Sequence, residues 1–280
     1  MKVILKNLCN VLSLSGGGSL GITEISILEK IYNNQEFDLI TGISAGALNA
    51  MFLSHYKNNF TEGIEKVKNI WLNMGNDNVY SYSLMNPYRL WSVYSTDPLL
   101  HTIEHVFQNL PQETKIPTII GSTNLNLNRL DLFDIHKYSN EDQKNILLAS
   151  SAVPLAFPPI IINGSYYVDG GFITNEIIYN INEYINCDLF NITFIDTSNP
   201  VDSHKEIENV RDYLGGILSG LLKNFDVKLM TLRKCEEPKG EIHVYYINKP
   251  HEITMLNFDK PSKLYEYGKN FNYTKYKYCL

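Results

Sequence analysis

The sequence predicts an α/β fold, a three-layer α/β/α sandwich built around a mainly parallel central sheet. Three observations lead there. Apolar strand-like runs alternate with helix-like ones along the chain. The strand-like runs are short and rich in β-branched residues, the pattern of strands buried on both faces. Glycines gather where such runs pass into helices. The 280 residues suffice for one large core, and the whole chain, 1–280, is read as a single domain.

Taken in order, residues 11–15 form a short buried strand, a glycine cluster follows, and 20–32 carry Ile22, Ile25, Leu28, Ile31 and Tyr32 at helical spacing. A second strand over 37–41 leads into the pentapeptide GISAG and a helix over 44–56. Ile64, Val67, Ile70 and Trp71 line one face of a helix over 61–73. Residues 78–95 are aromatic-rich and poor in charge. Asp97-Pro98 reads as an N-cap with proline at the first helical position, opening a helix to residue 108. Strands are predicted over 117–123 and 129–134, then a helix over 140–154 that Pro154 stops. GSYYVDGG is a strand ending in a turn, NEIIYNINEYI a helix, and LFNITFIDTS a buried strand. A long helix over 205–234, a strand over 241–248 and a helical tail from Pro261 complete the pattern.

Hydrophobic residues make up 44% of the chain and charged residues 19%, in the range of soluble globular proteins. A formal net charge of −6 argues against nucleic acid as a partner and gives no general attraction to anionic membranes. Cys9, Cys187, Cys235 and Cys279 are scattered, without the spacing of a metal site. They are expected to be reduced thiols in a cytoplasmic setting. Lys6, Asn7 and Asn10 interrupt the apolar start, so no secretion signal is predicted, and no run approaches the length of a membrane span. The Asn-X-Ser/Thr triplets at Asn59, Asn163, Asn191 and Asn272 are expected to be accidental.

In GISAG, Ser44 stands between Gly42 and Gly46 at a strand-to-helix junction. A serine hydroxyl attacks an acyl carbonyl when a sharp turn projects it into a pocket and a base takes its proton. Such a turn brings the residues two before and two after against neighbouring backbone, and both must be tiny. The N–H of the next residue, Ala45, then faces the developing oxyanion at a helix N-terminus. In SGGGSLG, Gly16, Gly17, Gly18 and Gly21 follow a strand and open a helix. Consecutive glycines let several N–H groups converge on one anion. Two readings stay open here. One is an oxyanion hole; the other is a dinucleotide fingerprint with Asp38 as its ribose-binding acid. Asp169, followed by Gly170 and Gly171, ends a strand, where a carboxylate can face the same crevice.

Together, and in this order, the glycine loop, the GxSxG elbow and the Asp-Gly-Gly turn resemble the patatin-like phospholipase family. GALNA after the elbow, SSAVPLAFPP and YVDGGFITN add to the resemblance, which covers about residues 11–180. It implies a patatin-like fold and a lipid acyl hydrolase of the phospholipase A or lysophospholipase type. It also implies a Ser44–Asp169 dyad working through an acyl-enzyme, with the N–H groups of Gly16, Gly17 and Gly18 holding the oxyanion. No metal or organic cofactor is implied; the partners are a lipid substrate and, transiently, a membrane surface, and the protein is expected in the cytoplasm or peripherally at membranes. The chain departs from the family in having Ser19 and Leu20 where a cation is common and Ile177 near the place of a proline.

The alternative is a histidine-dependent serine esterase or thioesterase, for which His204, His243 and His251 stand late enough in the chain. A nucleotide-binding module and a catalytically silent lipid binder are further alternatives. Tyr80, Tyr82, Leu84, Met85, Trp91 and Tyr94 could wall an acyl chain or form a lid, with core packing the expected role. The terminal YTKYKYCL is expected to be a solvated helix end.

Overall fold

The structure is a computed structural model in which residues 7–82, 92–112, 114–179, 181–197, 238–248 and 254–278 are described. The elements in order are β1 (Leu8–Leu14), α1 (Gly21–Ile31), β2 (Leu39–Ile43), α2 (Ala45–Ser54), α3 (Phe60–Leu72), β3 (Ser81–Tyr82) and β4 (Tyr94–Ser95). Next come α4 (Asp97–Phe107), β5 (Thr118–Asn124), β6 (Arg129–Asp134), α5 (Asn140–Ser150), β7 (Ile160–Ile162) and β8 (Ser165–Asp169). The chain continues with β9 (Leu189–Asp196), β10 (Gly240–Tyr246), α6 (Pro261–Gly268) and β11 (Asn272–Tyr278).

The central sheet runs β11-β10-β9-β1-β2-β5-β8-β7, with β6 also paired to β5. β10, β9, β1, β2 and β5 are parallel; β11, β6, β8 and β7 join antiparallel. The sheet is therefore mixed but mostly parallel, as its β-branched, fully buried strands predicted. Side chains alternate between its faces. Leu12, Leu14, Ile40 and Ile120 pack with α1 to α6 in one core, and Val11, Leu39, Ile43, Ile119, Phe190 and Ile192 lie in a second core on the other face. Among the described residues no helix is long and apolar enough to cross a membrane.

Three expectations are corrected. Among the described residues of NEIIYNINEYI, only Ile181–Glu183 turn helically, as a short 3-10 turn. Ile177, Ile178 and Ile181 instead lie against the second face of the sheet. The carbonyl of Ile177 accepts from Thr41 Oγ1 at 3.0 Å and that of Ile178 from the Tyr278 hydroxyl at 2.8 Å, so tertiary partners take the acceptors a helix would use. The tail is helical only to Gly268; it then turns and pairs as β11 with β10. Its Tyr273, Thr274, Tyr276 and Tyr278 are strand-favouring residues whose alternation outweighed the helical reading. Finally, Cys9 and Cys187 form a disulfide, not reduced thiols, closing the start of β1 onto the approach to β9 with a Cα separation of 6.0 Å. This correction removes the main ground for a cytoplasmic setting. Cys235, Cys279, His204, His251 and the helix over 205–234 lie outside the described residues.

In the aromatic segment Tyr80 and Tyr94 are buried, with ring centroids 4.5 Å apart, and pack with Phe157. That is core packing, while Tyr82 is exposed. Leu84, Met85 and Trp91 lie outside the described residues.

Candidate active site

Parallel pairing brings the loops after β1 and β2 to one edge of the sheet, the carboxyl edge where α/β folds hold their sites. Leu14 pairs with Gly42, Ile43 with Gly121, and the following residue of β5, Ser122, with Asp169 of the antiparallel β8. This register carries the residue after β2 and the last residue of β8 toward each other across β5, although 125 positions separate them in sequence.

Ser44 occupies the turn with φ 55° and ψ −123°, a left-handed conformation that a non-glycine residue adopts only under constraint. The constraint is visible. Ser44 N–H donates to Ser150 Oγ at 2.9 Å, and Ser150 Oγ donates to Gly121 O at 2.7 Å. On the far side of the turn, Gly46 N–H donates to Ser15 O at 3.1 Å. A Cβ on Gly46 would lie 2.5 Å from the carbonyl oxygens of both Leu14 and Ser15, so only glycine lets α2 approach β1 this closely.

The Asp169 carboxylate is fully buried and has the Ser44 side chain as a hydrogen-bond partner; its Oδ1 also accepts from Gly171 N–H at 2.8 Å. Burial pushes its pKa up to about 6 against the pull of these two hydrogen bonds. Ser44 and Asp169 line one cavity of about 40 Å³ together with Gly16, Gly17, Gly18, Gly171 and Asn175, and Val153, Pro154, Phe172, Met255 and Leu256 give it an apolar wall. No histidine is among the lining residues described. His243 lies on β10, with its Nδ1 2.8 Å from the Tyr273 hydroxyl.

The glycine loop is held from three sides. Asn175 grips Gly16 twice, accepting from its N–H at 3.0 Å and donating to its carbonyl at 2.8 Å. Thr197 Oγ1 donates to the same carbonyl at 3.1 Å. Ser19 N–H donates to Met255 O at 2.8 Å. Gly18 has φ 57°, and a Cβ there would strike the Met255 carbonyl. Of the expected oxyanion donors, the Gly16 N–H is thus already hydrogen-bonded to Asn175. Among the described residues, the N–H groups of Gly17, Gly18 and Ala45 have no acceptor, the last at the first turn of α2. Asp38 sits at the opposite end of β2 from the loop, where it accepts from Asn10 N–H at 2.8 Å. The dinucleotide reading thereby loses its acid.

Behind Gly21 and the elbow helix lies a buried polar knot. Asn49 donates to Gly21 O at 2.9 Å and to Glu24 Oε2 at 2.8 Å, and accepts from Trp71 Nε1 at 2.7 Å. Burial holds the Glu24 carboxyl well above the usual carboxylate range. Asn175, Ser150 and Thr197 are positioning residues to which sequence reasoning assigned no role. Asn175 and Ser150 stand inside the stretches YVDGGFITN and SSAVPLAFPP, while Thr197, Met255 and Leu256 carry no local signal at all.

An elbow serine, a buried carboxylate and a glycine loop thus share one cavity. The chain belongs to the patatin-like phospholipase family, whose profile matches residues 12–180. Among its relatives, a cGAMP-activated phospholipase of Vibrio cholerae is 29% identical over 203 residues, covering 61% of this chain and 56% of that protein. A cGAMP-activated phospholipase of Escherichia coli is 29% identical over 199 residues, covering 60% and 53%. An uncharacterized protein of Acanthamoeba polyphaga mimivirus is 25% identical over 174 residues, covering 57% of each chain. The matched segment thus spans a little over half the length of these curated relatives. A solved structure, VipD from Legionella pneumophila, aligns over 98% of this chain and 68% of its own with 13% identity and a TM-score of 0.41.

Proposed function

We propose that this chain is a lipid acyl hydrolase, of the phospholipase A or lysophospholipase type, in which Ser44 is the nucleophile and Asp169 the base. The observation that carries the reading is that Ser44, in its strained elbow, and the buried Asp169 line one cavity; burial pushes that carboxyl up to about 6, close to the pH at which a general base works best. Ser44 Oγ attacks the ester carbonyl carbon as its proton passes to Asp169. The carbonyl oxygen, now negative, is met by the N–H groups of Gly17, Gly18 and Ala45. The ester C–O bond breaks, the alcohol leaves with the proton from Asp169, and an acyl-Ser44 ester remains. Water then gives its proton to Asp169 and attacks that ester, releasing the fatty acid and returning the proton to Ser44. Val153, Pro154, Phe172, Met255 and Leu256 keep bulk water from the carboxylate.

The test is release of fatty acid from a panel of phospholipids, lysophospholipids and neutral glycerides, with and without the activator that names two of the relatives. Ser44→Ala is expected to abolish release and labelling by a fluorophosphonate. A variant that still labels would overturn the assignment. Retained activity in Asp169→Ala, with loss on substituting His204, His243 or His251, would favour the histidine-dependent esterase instead.

A further inference from the structure

We propose that the β5–β6 and β7–β8 hairpins and Leu155 together form a surface that docks on a phospholipid bilayer beside the mouth of the active-site cavity. The proposal rests on the reading of the chain as a lipid hydrolase and names the face by which it meets its substrate's source.

Of five exposed leucine and isoleucine side chains among the described residues, four fall in these segments: Leu125, Leu127, Leu155 and Ile161. Tyr166 joins them, and the five are 39% to 58% exposed. They form a neighbourhood, not a scatter. Leu125 N–H donates to Tyr166 O at 2.9 Å, and Tyr166 N–H donates to Asn126 Oδ1 at 2.8 Å, which ties the two hairpins together. Ile161 is the cross-strand partner of Tyr166. Leu125, Leu155 and Tyr166 line a hollow of about 340 Å³ with Pro154, Phe157, Pro159 and Val168.

Two features select a bilayer over another protein surface. The first is continuity with the cavity. Pro154 lines both the hollow and the Ser44–Asp169 cavity, and Val168 immediately precedes Asp169. A lipid held in the hollow therefore lies one residue's width, Pro154, from the cavity that holds Ser44. The second is charge. Residues 151–168 contain no Asp, Glu, Lys, Arg or His, in a chain that is 19% charged. In the β5–β6 hairpin the outermost charge is the cation of Arg129, while Asp131 beside it is held by Arg129, Asn124 and the Tyr167 hydroxyl. An apolar face whose rim carries one ion pair, with the exposed Arg129 guanidinium outermost and Asp131 drawn inward, suits acyl chains beneath phosphate headgroups. A tyrosine among aliphatic side chains is typical of the bilayer interface. Leu155 is also held outward by its backbone. Its φ is 68°, a strained value for leucine, and its carbonyl accepts from Val93 N–H at 3.1 Å.

The experiment uses the full chain carrying Ser44→Ala, so that binding is read without hydrolysis, and sedimentation with phosphatidylcholine vesicles with or without phosphatidylglycerol. The parent is expected to sediment with the vesicles. Adding Leu127→Asp and Ile161→Asp is expected to weaken partition by about tenfold or more. With Ser44 intact, the same double variant is expected to hydrolyse a soluble short-chain ester at the unchanged rate and vesicle phospholipid about tenfold more slowly. Equal vesicle partition of parent and double variant would overturn the proposal. So would an equal fall in soluble-ester turnover, which would place the effect in the fold or the site. A dimer by light scattering that dissociates in the double variant while vesicle binding persists would assign the face to self-association and also overturn it. Because partition is measured in a chain without Ser44, it stands or falls separately from the catalytic reading.

Discussion

Asp169→Asn should separate activity from stability with opposite signs. An unperturbed aspartate titrates near 3.8, whereas burial raises Asp169 to about 6 in the folded chain. A carboxylate raised in this way contributes stability that is complete below the unfolded value and is lost as pH rises through the folded one. Each pH unit between the two values is worth about 1.4 kcal/mol, so holding the ionised carboxylate at neutral pH costs the fold about 3 kcal/mol. Asparagine keeps the shape, still accepts from Gly171 N–H and carries no charge. Relative to the wild type, the variant should therefore gain about 3 kcal/mol between pH 3.5 and pH 7.5, read by urea denaturation at both values. In ester turnover the same variant should lose about two to four orders of magnitude, the usual contribution of a general base. The wild-type rate should fall about tenfold per pH unit below about 6. A stability difference that does not move with pH, or turnover flat from pH 7 to pH 5, would refute the assignment of a buried, working carboxylate.

Other substitutions probe the frame around Ser44 and Asp169. Gly18→Ala places a methyl against the Met255 carbonyl at a φ of 57°; kcat should fall by about 100-fold as one oxyanion donor is displaced. Ser150→Ala removes the acceptor of Ser44 N–H and the donor to Gly121 O, and should lower stability by about 1–3 kcal/mol in denaturant titration together with a fall in kcat. Asn49→Ala strands Trp71 Nε1, Gly21 O and the Glu24 carboxyl; a loss of about 3–5 kcal/mol is expected from the same titration. Reduction of Cys9–Cys187, which closes a loop of 178 residues, should cost about 2–4 kcal/mol, seen as a lower Tm in reductant and in Cys187→Ser alike.

The parts of this protein legible in its sequence are those set by neighbours a few residues apart. The buried strands announced themselves by β-branched runs, and α3 by the apolar stripe Ile64, Val67 and Trp71. The elbow and the glycine loop were legible because steric demands on a tight turn admit so few residues: Gly46 faces two carbonyl oxygens and Gly18 a third. The same local reasoning failed where a tertiary partner outbid it. Residues 175–185 have helical spacing, yet Asn175 is drawn to Gly16 and the Ile177 and Ile178 carbonyls to Thr41 and Tyr278.

From the chain alone came the candidate groups, a serine in a tight strand-to-helix turn and an aspartate at a strand end. Their sharing of one cavity, the raised pKa of Asp169, the pairing of Cys9 with Cys187 and the engagement of the Gly16 N–H by Asn175 belonged to the tertiary structure. The physical reason is distance along the polymer. Ser44 and Ser150 are 106 positions apart, and Gly16 and Asn175 are 159 apart. Contacts of that span follow from strand register and from which face each side chain takes, and burial, which sets the proton affinity of Asp169, exists only once the sheet has closed over it.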